Sequence, residues 1–139
     1  METQREPKSW AMIAIFGPKV KPVEITSKLG MDPDYFHDYD IKDINNVSLE
    51  PHWQLNSKLG PESPLNEHIW ELLKRLAPVR RELKEISSLY ATCLYASVEY
   101  ASRATKGIKL DKRTMLLLGE LGIQLEILPW LEEDSQTSS

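Results

Sequence analysis

The alternation of apolar and polar positions cuts this chain into short segments. Residues 10–16 form a compact apolar run with Ile13, Ile15 and Phe16, ended by the turn signal Gly17-Pro18. A short run that is apolar on both faces predicts a central strand. Over residues 52–59 the pattern becomes strict alternation, with Trp53, Leu55, Ser57 and Leu59 on one side and Gln54, Asn56 and Lys58 on the other. That is a half-buried strand with one solvated side. Residues 90–100 alternate again, Leu94, Ala96, Val98 and Tyr100 sharing a face, and residues 123–128 place Ile123, Leu125 and Ile127 together before Pro129. Both predict strands, the second ended by its proline.

Between these runs the spacing turns helical. Leu65, Ile69, Leu72, Leu73 and Leu76 recur with a helical period and mark the clearest helix. Ser63 is placed as its N-cap and Pro64 as its first residue. Pro78 interrupts it, and a second helix over 79–87 continues with Leu83 and Ile86. A short helix over 22–29 carries Ile25 and Leu29 and stops at Gly30. Asp111 caps a further helix with Met115, Leu118 and Leu121, stopped by Gly122. Residues 31–49 lack any sustained period, contain Pro33 and Asn45-Asn46, and read as a long acidic, aromatic loop. Residues 1–9 read as a loose N-terminal segment and residues 131–139 as a disordered acidic tail.

The element order is strand, helix, strand, two helices, strand, helix, strand. The stretches 17–30 and 107–122 echo one another faintly, each running from a glycine turn through a helix to Leu-Gly. Such an order predicts an α+β fold over residues 10–130. The expected form is a ferredoxin-like two-layer sandwich: a roughly four-stranded antiparallel sheet with helices packed on one face.

Composition narrows the function. With 139 residues, 41% hydrophobic and 27% charged, one domain buries a core without a disulfide or a metal. Cys93 is the only cysteine and lies in an apolar run, so it reads as a buried structural thiol. With no apolar leader over residues 1–8, it points to a reducing, cytoplasmic compartment. The longest apolar run falls far short of a membrane span. The net charge is −4, and basic residues are scattered apart from Lys74-Arg75 and Arg80-Arg81. Nucleic acid is a disfavoured partner.

Signatures of catalysis are missing. The chain has no Gly-rich phosphate loop, no nucleophile elbow and no paired histidines at metal-binding spacing. Asp32, Asp34, Asp38, Asp40 and Asp43 invite a calcium-loop reading, but His37 stands where the loop glycine belongs and Asp43 where its glutamate belongs. A solvated acidic loop is the expectation, and neither a metal nor a cofactor is expected. His68 lies just off the apolar helix face and reads as a surface residue. His52, at a strand entrance, reads as a partner for a loop carboxylate. His37 adjoins Asp38, an acid–base pair only if a cleft surrounds it. Trp10 and Trp53 read as core. Trp70 lies about 115° from the centre of its helix's apolar stripe and reads as a contact residue. Trp130 reads as a cover over the open end of the sheet or as a partner contact.

Several of these residues recur together elsewhere. Pro22-Val23-Glu24-Ile25-Thr26, Leu29-Gly30-Met31-Asp32-Pro33, Trp53-Gln54-Leu55-Asn56-Ser57, Leu65-Asn66-Glu67-His68-Ile69 and Leu121-Gly122-Ile123 resemble the bacterial domain-of-unknown-function 4279 family over residues 10–130. The link before the Trp53 strand is longer and more acidic here than the family pattern. The close at Ile127-Leu128-Pro129-Trp130 lacks the family's acidic residue. The resemblance implies a fold and no activity.

The leading expectation is therefore a non-catalytic interaction module, an intracellular binding or immunity-type protein that offers an acidic surface to a basic protein partner. A second is a small-molecule binder with a cleft between the 31–49 loop and the Trp53 strand, lined by Tyr35, His37, Trp53 and Ser57. A third is an enzyme using His37 and Asp38. The candidate contact residues are Tyr35, His37, Asp38, Trp53, Ser57 and Trp70.

Overall fold

The computed structural model of this chain describes residues 7–39, 41–42, 48–99 and 107–130. Its first strand, β1 (Lys8–Phe16), is the middle strand of a five-stranded sheet. Helix α1 (Pro22–Leu29) follows, with Pro22 in the first turn and Gly30 left-handed at φ 68° as its stop. Then come β2 (Tyr35–His37), β3 (Ile41–Lys42), β4 (Ser48–Leu49) and β5 (His52–Asn56). Helix α2 (Leu65–Leu76), a 3₁₀ turn at Ala77–Val79 and α3 (Arg80–Leu89) lead to β6 (Ala91–Glu99). Helix α4 (Lys112–Leu121) and β7 (Gln124–Trp130) close the described chain.

The sheet order is β2-β5-β1-β6-β7, with β3 and β4 forming a separate two-stranded ladder. Four of the five main strands pair antiparallel; β7 runs parallel to β6. The fold is mixed α+β. The expected four-stranded, wholly antiparallel sheet is thus corrected on two counts. A fifth strand arises because residues 35–37 of the expected loop pair with β5. The parallel edge arises because α4 carries the chain back across the sheet before β7, which is what a parallel pairing requires.

Strand alternation sorts side chains onto two faces. Ile13 and Ile15 of β1 lie opposite Leu55 and Trp53 of β5, and Leu94, Ala96 and Val98 of β6 lie on the same side. The four helices all contribute to the cluster these residues form: Ile25 and Leu29 from α1, Ile69, Leu72 and Leu76 from α2, Leu83 and Ile86 from α3, and Leu118 from α4. One face of the sheet is therefore helix-covered, and none of the described helices contributes to the other. Burying each such side chain contributes about 1.5–3 kcal/mol before conformational entropy is counted.

Local chemistry explains the boundaries. Asp111 accepts from Thr114 N at 2.8 Å, which caps α4 as its sequence predicts and holds the Asp111 carboxyl below its ordinary pKa. At α2 the cap position is Pro64 rather than Ser63, and no side chain caps it. Ser63 N instead donates to Gly60 O at 3.1 Å, closing the preceding turn. Pro129 does not end β7. The strand is an edge, so a residue without an N–H is tolerated within it. Ser9, expected in a loose segment, is fully buried on β1, its N–H donating to Pro61 O at 2.9 Å. The 131–139 tail, Tyr100, Asp40 and Asp43 lie outside the described residues, as does the side chain of Trp130. Among the described residues no helix is long and apolar enough to cross a membrane.

Candidate functional site

The face without helices is built from the alternate residues of the same strands. β2 supplies Tyr35 and His37, β5 supplies His52, Gln54 and Asn56, β1 supplies Trp10, Met12 and Phe16, and β6 supplies Tyr95 and Ser97. Register does the positioning: Tyr35 lies opposite Gln54, His37 opposite His52, and His52 opposite Phe16. Directly opposed residues on neighbouring antiparallel strands bring their side chains into contact.

The result is a row of rings across three strands. Phe16 and His52 stack with centroids 6.4 Å apart, and His52 and His37 lie nearly parallel at 5.9 Å. Tyr35 meets both imidazoles edge-on, at 5.9 Å and 5.8 Å. The imidazoles are also oriented by hydrogen bonds. His52 Nε2 pairs with Gln54 Oε1 at 2.9 Å, and Gln54 Nε2 donates to Asn56 Oδ1 at 2.7 Å. His37 Nδ1 pairs with the Tyr39 carbonyl at 3.1 Å.

This row lines a depression of about 570 Å³ together with Met12, Glu50 and Tyr95. A second depression of about 490 Å³ adjoins it, sharing Met12 and Gln54 and reaching Trp10, Asn56, Ser57 and Ser97. At the far side of the face, burial pushes the Cys93 thiol and the Tyr95 phenol above their ordinary pKa values. Cys93 is buried, as its apolar surroundings predict, and the thiol, held neutral, is a poor nucleophile.

The predicted site residues divide. Tyr35 and His37 belong to the ring row. Asp38 is exposed, and no hydrogen bond or ion pair joins it to His37 among the described residues. Trp53 is on the opposite face, fully buried, its indole N–H donating to Thr26 Oγ1 at 2.9 Å. The expected cleft against Trp53 is therefore corrected: strand parity turns the indole into the core and leaves its neighbours His52 and Gln54 on the open side. Trp70 is half-buried on α2 beneath the Arg113 guanidinium, 5.3 Å from the ring centroid, and lines a separate groove of about 970 Å³ with Glu67, Glu71, Lys74 and Arg75. Trp10 is half-buried on the open face and is not core.

Ser57 joins the two layers. Its Oγ lies 2.7 Å from His68 Nδ1 and receives the Ala11 N–H at 3.4 Å. The other ring nitrogen, Nε2, is buried without a hydrogen-bond partner among the described residues. His68 is not the surface residue its polarity predicts; it is fully buried, and burial holds its pKa below the ordinary value. His52 pairs with Gln54 rather than with a carboxylate.

Sequence reading missed Phe16, His52, Gln54 and Tyr95 as a group. The one available signal was parity, since Gln54 and Asn56 share the solvated side with His52. Of the acidic loop, Asp34 is structural: its Oδ2 accepts the Asn56 N–H at 2.7 Å. No group of three or more metal-ligating side chains occurs among the described residues.

Fold and site together define a mixed α+β domain with one covered and one open sheet face. The model of the family described as "Domain of unknown function (DUF4279)" matches residues 5–132, and the chain belongs to that family. No curated protein and no solved structure shows significant similarity to it.

Proposed function

We propose that this domain is a non-catalytic binding module that holds a small molecule on its helix-free sheet face. One observation carries the reading: the ring row of Phe16, His52, His37 and Tyr35, preset by hydrogen bonds and lining a depression of about 570 Å³. Small-molecule sites are concave and mostly apolar, with a few placed polar groups, and here Gln54 and Glu50 are those groups. A binding role is favoured over a hydrolytic one because His37 is oriented by a carbonyl and not by Asp38. We further read the strand order as a ferredoxin-like core, β1 to β6, extended by the α4–β7 unit. On the single buried thiol we place the protein in the cytoplasm.

A metabolite thermal-shift screen tests the binding role. A ligand present at 100 times its Kd raises stability by about 2.7 kcal/mol. The expected outcome is a stabilising compound whose effect disappears in His52→Ala. Stabilisation that survives His52→Ala, or a screen without any hit, counts against the open face.

The interaction-module reading keeps one observation. Tyr35, Phe36 and Tyr39 are 50%, 55% and 63% exposed beside Asp38, on and next to an edge strand only three residues long. A partner that adds a strand along β2 would cover them. Loss of a co-purifying basic protein on Phe36→Asp, with open-face ligand binding intact, would favour this second reading.

A further inference from the structure

The charge pattern of the open face selects among ligands. Among the described residues no lysine or arginine lines either depression, whereas Glu50 stands at the wall of the larger one. Glu126, opposite Tyr95 in the β6–β7 register, adds a second carboxylate to the face. Lys8, at its far end, lies outside both depressions and 3.9 Å from Glu99. Phosphate recognition draws on guanidinium, ammonium or clustered free backbone N–H groups, and the N–H groups of β1 and β5 are committed to the ladders.

The ring row supplies the complementary half of the argument. Aromatic and imidazole faces take flat π-systems and tolerate many of them, because every planar heterocycle has a face to stack. A carboxylate accepts through two oxygens and matches the adjacent N–H donors of an amino-substituted ring nitrogen edge. Glu50 is exposed and makes no hydrogen bond or ion pair with the described residues, so a ligand's N–H donors would replace water at its oxygens.

We propose that this face takes a planar nitrogen heterocycle, neutral or cationic, which stacks on the ring row and presents N–H donors to Glu50, and that it rejects phosphorylated forms of the same ring. The proposal rests on the small-molecule reading above and names its ligand class. Open sheets with aromatic residues elsewhere stack the bases of single-stranded RNA, but a polynucleotide brings a phosphate with every base, and this face meets it with carboxylates.

Three probes test it on the isotope-labelled protein by NMR titration: guanosine, guanosine monophosphate and quinoline. Guanosine is expected to move the signals of Tyr35, His37, His52 and Gln54, with the monophosphate binding at least about ten-fold more weakly. Glu50→Gln is expected to weaken guanosine about ten-fold or more and to leave quinoline, which has no N–H donor, unchanged. Glu50 is exposed, and an unchanged spectrum away from the site verifies that the variant folds.

Monophosphate binding as tight as guanosine, or guanosine binding indifferent to Glu50→Gln, overturns the ligand class and leaves the binding role standing. So does a silent response to all three probes while non-aromatic fragments shift the same residues. If no compound of any chemistry perturbs the face, the binding role falls as well.

Discussion

The two faces of this sheet are made from alternate residues of the same strands, and they solve opposite problems. On the covered face, Ile13, Ile15, Trp53, Leu55, Leu94 and Val98 are all at most 2% exposed beneath four helices. On the open face the rings of Phe16, His52 and Tyr35 remain partly or largely solvated, held in place by stacking and by short polar contacts. Stability resides in the first set. The exposed rings of the second bury less apolar surface and are expected to contribute less to folding, which leaves them available for recognition. A one-residue slip in register would exchange the two sets, so the covered face also enforces the geometry of the open one.

The largest expected effect tests the covered face. Trp53→Ala removes a fully buried indole and leaves a cavity against Ile15 and α1, for a loss of about 3–5 kcal/mol in urea unfolding. A loss below about 1 kcal/mol would mean that the helix layer does not rest on this strand.

Next comes the place where the layers meet. Ser57→Ala strips the partner from His68 Nδ1 and from the Ala11 N–H, at a cost of about 1–3 kcal/mol. Unfolding curves of Ser57→Ala and Ser57→Thr separate the hydroxyl from the side-chain volume. Equal losses in both variants would show that the hydrogen bond is not what matters.

His68 also makes stability depend on pH. Its native pKa lies below the ordinary 6.5 because burial disfavours the imidazolium. The unfolded chain therefore takes up the proton first. The His68 contribution is complete above the ordinary value of 6.5 and is lost as pH falls from there through the lower native value. Urea midpoints across this range are expected to fall less steeply in His68→Leu than in the wild type. Parallel slopes would assign the acid sensitivity to other groups.

How far these contrasts were legible in the sequence follows from their physical range. The alternation of β5 announced that Trp53 and Leu55 point one way and Gln54 and Asn56 the other, because strand parity is a local property. The stop at Gly122 was equally local, φ 72° being a conformation that glycine adopts without strain. β2 stayed hidden because three residues cannot show a period; only pairing with β5 makes Tyr35–His37 a strand. His68 was misread for its polarity, although it falls between Leu65 and Leu72 at the spacing of the buried stripe. Its acceptability in the core depends on Ser57, eleven positions earlier. The ring row is less local still, since it needs the register of β1, β5 and β2 at once.

The smallest stability effect makes the sharpest use of the comparison. His52→Ala removes the stack on Phe16, the parallel contact with His37 and the bond to Gln54 Oε1. Gln54 remains half-buried and keeps its bond to Asn56, so water replaces the lost partner and no polar atom is stranded in the core. The expected cost is below about 1 kcal/mol, as for other substitutions at partly solvated positions. Binding responds differently. The row loses its central ring, and a stacked base is worth about 1–3 kcal/mol, or roughly five-fold to more than a hundred-fold in affinity. Paired measurements on one variant, a urea midpoint and a ligand titration, therefore separate the faces: stability nearly unchanged and binding lost. If His52→Ala instead unfolds the domain as readily as Trp53→Ala, the open face is part of the structural core and its rings are there to hold the sheet.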